Sequence, residues 1–427
     1  MKWRGFLGAT ACYVIANGVF SGLPLLLLPW LTRGLGPAGY GTWVAFSVIV
    51  AAIVSLGGLS THSYLILEWP KTAVRAQRAG LAAGAALAGV VGVSLALPLA
   101  ATYLWLAPAA VGLAPDWALM ATLMAAATVA LLVFQSIWQS EFRAKHFMAF
   151  RLMHALALAL ATLVVLYLFP GRWQAVAIAA TLITGAAMVA CLVVHSALFV
   201  DGVREVRAHF APALRFGVTL LPHSLGGVAM SATDKLLVGS MLSAAELGPY
   251  GVAAQVGLIL ALLNDSANRS YAPWLAHALT KGLADDAERA RSVVRGTYVA
   301  FAGIMLLSLS CGLLLPRLLP HLTGAGFAKA GDYLLPICIG HGFTGMYFLV
   351  VNYVMYSRRF AILALVSLSA GAANVVLGLL LVPRIGAIGA AWAFATSQAL
   401  LFFGAWYLAG RVVPMPWQLS LAHGTRS

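Results

Sequence analysis

Runs of about twenty apolar residues, separated by short turns, recur from one end of this chain to the other. Each is long enough to cross a hydrocarbon layer of about 30 Å as a helix. Inside that layer the backbone finds no water, so a spanning segment must satisfy its own N–H and C=O groups, which a helix does. Only 9% of the 427 residues are charged, against about 25% in a soluble domain. Mean hydropathy is +0.93. The sequence therefore predicts an all-α integral membrane protein. Met1-Lys-Trp-Arg4 leads into an apolar run ending near Leu31, too long for a signal-peptide core, so it reads as a first span that stays.

Twelve spans are expected, at about 8–31, 40–63, 80–103, 117–138, 149–169, 174–199, 214–240, 247–268, 296–319, 333–356, 360–382 and 387–409. If they alternate direction, the 26 Lys and Arg residues divide into twenty on one side and six on the other. Basic residues stay in the cytoplasm during insertion, so both termini are expected there. The same rule accounts for the net charge of +14 without a nucleic-acid partner. Cys12, Cys191, Cys311 and Cys338 lie in or beside apolar runs with no CxxC pair. They read as packing residues, neither disulfides nor metal ligands. The polar stretch Thr280 to Arg295 is expected to form a helix along the cytoplasmic surface.

The chain echoes itself. At an ungapped offset of 213, Phe147/Phe360, Leu152/Leu365, Ala157/Ala370, Pro170/Pro383 and Ala177/Ala390 are identical. Leu35-Gly-Pro-Ala-Gly-Tyr40-Gly41 is echoed by Leu247-Gly-Pro-Tyr250-Gly251, and Ser63-Tyr64 by Ser270-Tyr271. Similar offsets near half the chain length suggest a transporter of two related halves. The expected division is an N-terminal six-helix lobe, 1–205, and a C-terminal one, 206–427, around a central cavity.

Ionisable groups at membrane depth are costly and usually face a cavity or one another. Asp234 and Lys235 fall in the seventh span; being adjacent, they should point in different directions around the helix. Asp265 and Arg269 lie one turn apart near the end of the eighth, with Asn264, Asn268 and Tyr271 beside them at helical spacing. His62 ends the second span, and His223 follows Pro222, expected to distort the seventh. Asn17, Ser21 and Pro24 give the first a polar stripe. Arg269, Lys235, His62, His223, Asn17, Asn268 and Tyr271 are the candidate substrate contacts. Asp265 and Asp234 are candidates for coupling to a proton or Na+. Each has a structural alternative: a surface ion pair for Asp265–Arg269, snorkelling for Lys235, packing for the histidines, interhelical glue for Ser and Asn. There is no catalytic constellation, P-loop or metal-ligand set, so neither an enzyme nor a cofactor is expected.

Three segments resemble one family. Asn374-Val-Val-Leu-Gly-Leu-Leu-Leu-Val-Pro383-Arg-Ile-Gly386-Ala-Ile-Gly389-Ala-Ala resembles the Asn…Pro-x-x-Gly-x-x-Gly-Ala-Ala hairpin of polysaccharide-export flippases. These form the Wzx-like branch of the multidrug/oligosaccharidyl-lipid/polysaccharide (MOP) exporter superfamily. Asp234-Lys235-Leu-Leu-Val-Gly239 with Leu247-Gly-Pro-Tyr250-Gly251 is similar to the family's Asp-x-hydrophobic…Gly…Gly-x-Tyr segment, and Leu322 to Ala330 to its segment before span ten. The resemblance implies two lobes of the MOP/MATE-like kind in a bacterial inner membrane. It implies a cargo, an oligosaccharide linked to undecaprenyl diphosphate, moved from the cytoplasmic to the periplasmic leaflet during surface-polysaccharide (O-antigen) synthesis. Membrane lipids and a polysaccharide polymerase of the same pathway are the implied partners. A multidrug/cation antiporter of the same superfamily is the alternative, disfavoured because the N-terminal span interiors carry no Asp or Glu. A membrane glycan polymerase is disfavoured by short outer loops.

The topology is directly testable. In a cysteine-free background, Ala114→Cys and Gly386→Cys should react with an impermeant thiol reagent outside intact cells, and Gly282→Cys should not. Labelling of Gly282→Cys would reverse the orientation.

Overall fold

The computed structural model describes residues 3–72, 74–106, 113–196, 205–357 and 359–418. Every regular element among them is helical. In the first half of the chain, α1 covers Trp3–Gly57, α2 Thr61–Glu68, α3 Arg75–Leu106, α4 Trp117–Ser140, α5 Ala144–Leu168 and α6 Trp173–Val194. In the second, α7 covers Val206–Ser231, α8 Thr233–Met241, α9 Ala244–Thr280, α10 Ala287–Leu314, α11 Leu319–Leu322, α12 Ala330–Tyr356, α13 Phe360–Ile385 and α14 Ala387–Val412.

Ten described helices are long and apolar enough to cross a membrane. At 55 residues, α1 is about 80 Å long, too much for one crossing. It breaks at Gly36 (φ 66, ψ 177), a conformation that glycine adopts without steric cost, and so supplies two crossings. A further crossing comes from α7 and α8 together, which follow one another across Ala232. Large apolar side chains such as Leu99, Trp105, Tyr167 and Val299 remain exposed on the perimeter, where lipid would cover them. The helix contacts inside are rich in alanine and glycine, which let backbones approach closely.

Several local expectations are corrected. The seventh crossing continues as helix through Pro222 and is interrupted at Ala232. The second ends at Gly57, and left-handed Leu59 and Ser60 lead into α2, so His62 sits on a separate short helix. No surface helix spans 280–295. Instead α9 runs on to Thr280, left-handed Gly282 (φ 78) turns the chain, and Asp286 caps α10 by accepting from the N–H groups of Glu288 and Arg289. The polar residues there are divided between the projecting ends of two spans.

Two of the echoing segments turn alike. Hairpins α5–α6 and α13–α14 both turn on a positive-φ glycine, Gly171 (φ 77) and Gly386 (φ 73). These lie 215 residues apart rather than 213, and α13 has 26 residues against 25 in α5.

At the glycine-turn end, the predicted outer end, both halves of the chain share one core. Leu31, Tyr40 and Phe46 of α1 pack there with Leu247 and Tyr250 of α9 and Tyr333 of α12. The two glycine-rich echoes pack against each other. A Cβ on Gly41 would lie 1.8 Å from the Ala244 carbonyl oxygen, and one on Gly248 2.2 Å from that of Pro37. The segment between α10 and α12 clasps the same turn. Phe327 meets Tyr40 edge to face at 5.8 Å, and Arg33 donates to the His321 carbonyl at 3.0 Å. Lys329 donates to Glu246 at 2.7 Å, which raises the ammonium pKa above the ordinary lysine value. At the basic end the core is divided. One part holds Tyr64, Leu65, Trp69, Leu81 and Phe134; the other holds Leu275, Val294, Phe301, Tyr353 and Phe402.

The glycine contact leaves no room for a side chain. Gly41→Val should therefore hold the outer end apart: Ser231→Cys in the chamber below should become labelled from outside, and transport should fall. Gly303→Val, where the added Cβ meets nothing within 4 Å, is the control. Full transport by Gly41→Val would remove this contact from the working cycle.

Candidate functional site

Two adjoining chambers, of about 560 and 600 Å³, lie below the closed end. Both are bordered by Leu23, Pro24, Ser47, Ala51, Met124 and Leu158, so they lie side by side. The walls are mostly aliphatic, and polar groups gather at two places.

The upper group is built on α8 and α9. Asp234 is 5% exposed, and its Oδ2 accepts from the Tyr250 hydroxyl at 2.8 Å. Both its oxygens accept from Lys235 Nζ at 3.0 Å, and Nζ also donates to the Ser231 carbonyl at 2.9 Å. The neighbours do not point apart: the long lysine stem folds back beside the break at Ala232. An ammonium has three protons, and these bonds occupy them. Lys235 is thus a cation already paired and bonded.

The lower group is built on α5 and was not among the sequence candidates. Arg151 lies two turns into α5 and lines the chamber. Its guanidinium sits 3.8 Å from the centre of the Phe20 ring, and Nη1 donates to Gln135 Oε1 at 3.0 Å. Its Nε has no partner, and among the described residues no carboxylate pairs with it. One turn on, His154 is 5% exposed with both ring nitrogens unbonded. His62 and Thr184 line the same chamber. Sequence spacing concealed Arg151, which stood two residues inside a span expected to begin at 149 and was counted with the loop cations. Its signal was a basic residue one helical turn before a histidine in an apolar run.

The remaining candidates are dispersed. Arg269 and Asp265 form an i,i+4 ion pair in which Nε and Nη2 both reach Asp265 Oδ2 at 2.8 Å, with side chains 65% and 44% exposed; neither borders a chamber. Asn268 accepts from Asn352 Nδ2 at 2.8 Å, and Asn264 donates to the His341 carbonyl at 2.9 Å, both across the α9–α12 seam. Tyr271 packs on the inner core of the same seam. Their helical stripe joins helices rather than facing the chamber. Asn17 is half-buried on α1 and lines neither chamber. The His223 side chain lies outside the described residues. Among the described residues no cluster of His, Cys, Asp or Glu could hold a metal ion.

Comparison with known structures shows the same fold over nearly the whole chain. The lipid II flippase MurJ, in an inward closed conformation, is similar at a TM-score of 0.63 with 10% identity, over 95% of this chain and 87% of that one. An inward-facing MATE family multidrug resistance transporter of the MOP superfamily gives 0.61 with 14% identity, over 93% and 97%. The Vibrio cholerae MATE transporter VcmN gives 0.60 with 14% identity, over 96% of both. No curated protein matches the sequence. The polysaccharide biosynthesis protein family matches residues 7–279. With that match over more than half its length, the chain belongs to the polysaccharide biosynthesis protein family, and its helices take the fold of MurJ and the MATE transporters.

Proposed function

We propose that this transporter moves oligosaccharides linked to undecaprenyl diphosphate from the cytoplasmic to the periplasmic leaflet of the bacterial inner membrane, with Arg151 holding the diphosphate. The observation that carries this reading is a guanidinium in the chamber with no carboxylate beside it. An unpaired charge at membrane depth costs several kcal/mol or more. The Phe20 face returns about 2 kcal/mol of that at best. An anionic ligand would compensate the remainder, and a planar fork suits phosphate oxygens. Lys235, already bonded to Asp234, is the weaker candidate. His62 and His154 add donors beside Arg151, and nothing acidic lines the lower chamber. That lining disfavours a cationic cargo and hence the antiporter reading.

The closed glycine end and divided basic end support a cytoplasm-facing arrangement, with both termini cytoplasmic. The lobes 1–205 and 206–427 would rock about it, surrounded by membrane lipids, and deliver cargo to a polymerase outside. Asp234 is the coupling candidate, because its charge is held by Lys235 and Tyr250 inside the transport space. Asp265, exposed and paired with Arg269, is not placed to sense the cargo.

Surface glycan made per unit of inserted protein tests the assignment. Arg151→Ala should lose at least about tenfold and leave lipid-linked oligosaccharide facing the cytoplasm; Arg151→Lys should retain part, because charge persists without the fork. Arg269→Ala should stay near normal, since an exposed pair contributes at most about 1 kcal/mol. Normal output from Arg151→Ala would sink the assignment. For coupling, Asp234→Asn should still bind lipid diphosphate but lose the dependence of transport on a proton or Na+ gradient. Retained gradient dependence would remove Asp234 from that role.

A further inference from the structure

The upper chamber holds a second set of polar groups that neither the phosphate site nor the Asp234–Lys235–Tyr250 cluster uses. Gln398 on α14 is 7% exposed, borders the chamber, and its Oε1 has no partner. Gln255 on α9 borders the same space, and its Nε2 is buried without a partner. His341 and Thr344, one turn apart on α12, line the same space. The Thr344 hydroxyl donates to the Gly340 carbonyl at 3.1 Å, which leaves its oxygen free to accept. Phe394, on the same helix as Gln398, meets the His341 ring edge to face at 5.3 Å and borders the chamber as well.

A buried amide atom left unbonded costs about 1–3 kcal/mol. Two of them, on different helices whose residues border one space, leave a polar lining unmet that a turn of each amide would bring to an occupant. The chemistry of its occupant follows from the donors. Amides, a hydroxyl and an imidazole can both give and accept hydrogen bonds, and they carry no charge complementary to phosphate. An aromatic ring adds an apolar face. Hydroxyls around the edge of a ring with an apolar C–H face are what such a set matches: a neutral pyranose.

We propose that Gln255, His341, Thr344 and Gln398, with Phe394, form a sugar-reading site that binds the neutral saccharide of the cargo while Arg151 holds its diphosphate. This rests on the flippase reading above. It makes the C-terminal helices the specificity-determining half and the N-terminal α5 the charge-binding half. Sugar recognition and phosphate capture are then separable by mutation.

The test measures affinity of the full chain in nanodiscs for two probes: bare undecaprenyl diphosphate and N-acetylglucosaminyl undecaprenyl diphosphate. The wild type should bind the sugar-bearing probe at least about fivefold more tightly, the worth of one net hydrogen bond. Gln398→Met should erase that advantage and leave affinity for the bare probe unchanged. Thr344→Val should act in the same direction, as a second variant that adds no bulk. Arg151→Ala should weaken both probes equally. Tight but sugar-blind binding by the wild type, or an advantage that survives in Gln398→Met and Thr344→Val, would overturn the sugar site alone. Binding of neither probe, or indifference of both to Arg151→Ala, would instead overturn the flippase reading and the sugar site with it.

Discussion

The hydrocarbon layer tolerates no unsatisfied polar group, and this one constraint orders the protein at every scale. It makes each crossing a helix. It also explains why so many in-span hydroxyls are tied to their own helix: Thr32, Thr122, Thr128 and Thr181 each donate to the carbonyl four residues back. Against that thrift, the exceptions are informative. Some, such as the Ser308 hydroxyl, lie in the packed interior, but Arg151, His154, Gln255 and Gln398 leave polar atoms unspent and border the two chambers. A membrane protein with polar atoms held in reserve around a cavity has built a place for something polar to sit.

The same constraint separates the two lysine and arginine candidates. Lys235 and Arg151 are both cations in the chamber lining, but one has spent its donors and the other has not. Asp234 holds Lys235, and Tyr250 holds Asp234, so this cluster is closed on itself. Tyr250 also belongs to the shared core at the glycine-turn end. The buried carboxylate is thereby wired to the element whose closure seals that end, a connection suited to a group proposed to couple ion binding to movement.

Much of the fold was legible because periodicity and length speak directly to membrane crossing. The apolar runs gave helices where helices stand, and the glycine-rich echoes marked two segments that touch. Helix ends were less legible. Polar residues prolong α5 and α9 beyond the apolar run, and a boundary drawn where hydropathy falls leaves Arg151 at the margin of its span, when the helix starts two turns before it, and puts Thr280 to Arg295 on the surface. The site was harder still. Asn268 and Tyr271 have the residue types and spacing of a cavity stripe, but spacing names a face of a helix and not what the face meets. Here it meets α12. Asp234 and Lys235 looked divergent on an ideal helix and converge because the helix is broken beside them.

On the rocking proposed above, the shared core at one end and the divided cores at the other would work as a pair of tongs. With the grip point at Gly41 and Gly248, the long helices are lever arms; α9, at 37 residues, is about 55 Å long. A rotation of about 10° at the pivot then sweeps the far tip through roughly 10 Å, by the same rise per residue. That is room enough to admit or expel a headgroup, yet it asks for only a slight shift where the glycine backbones touch. The smallest residues in the chain thus set the mechanical advantage of the largest movement it can make.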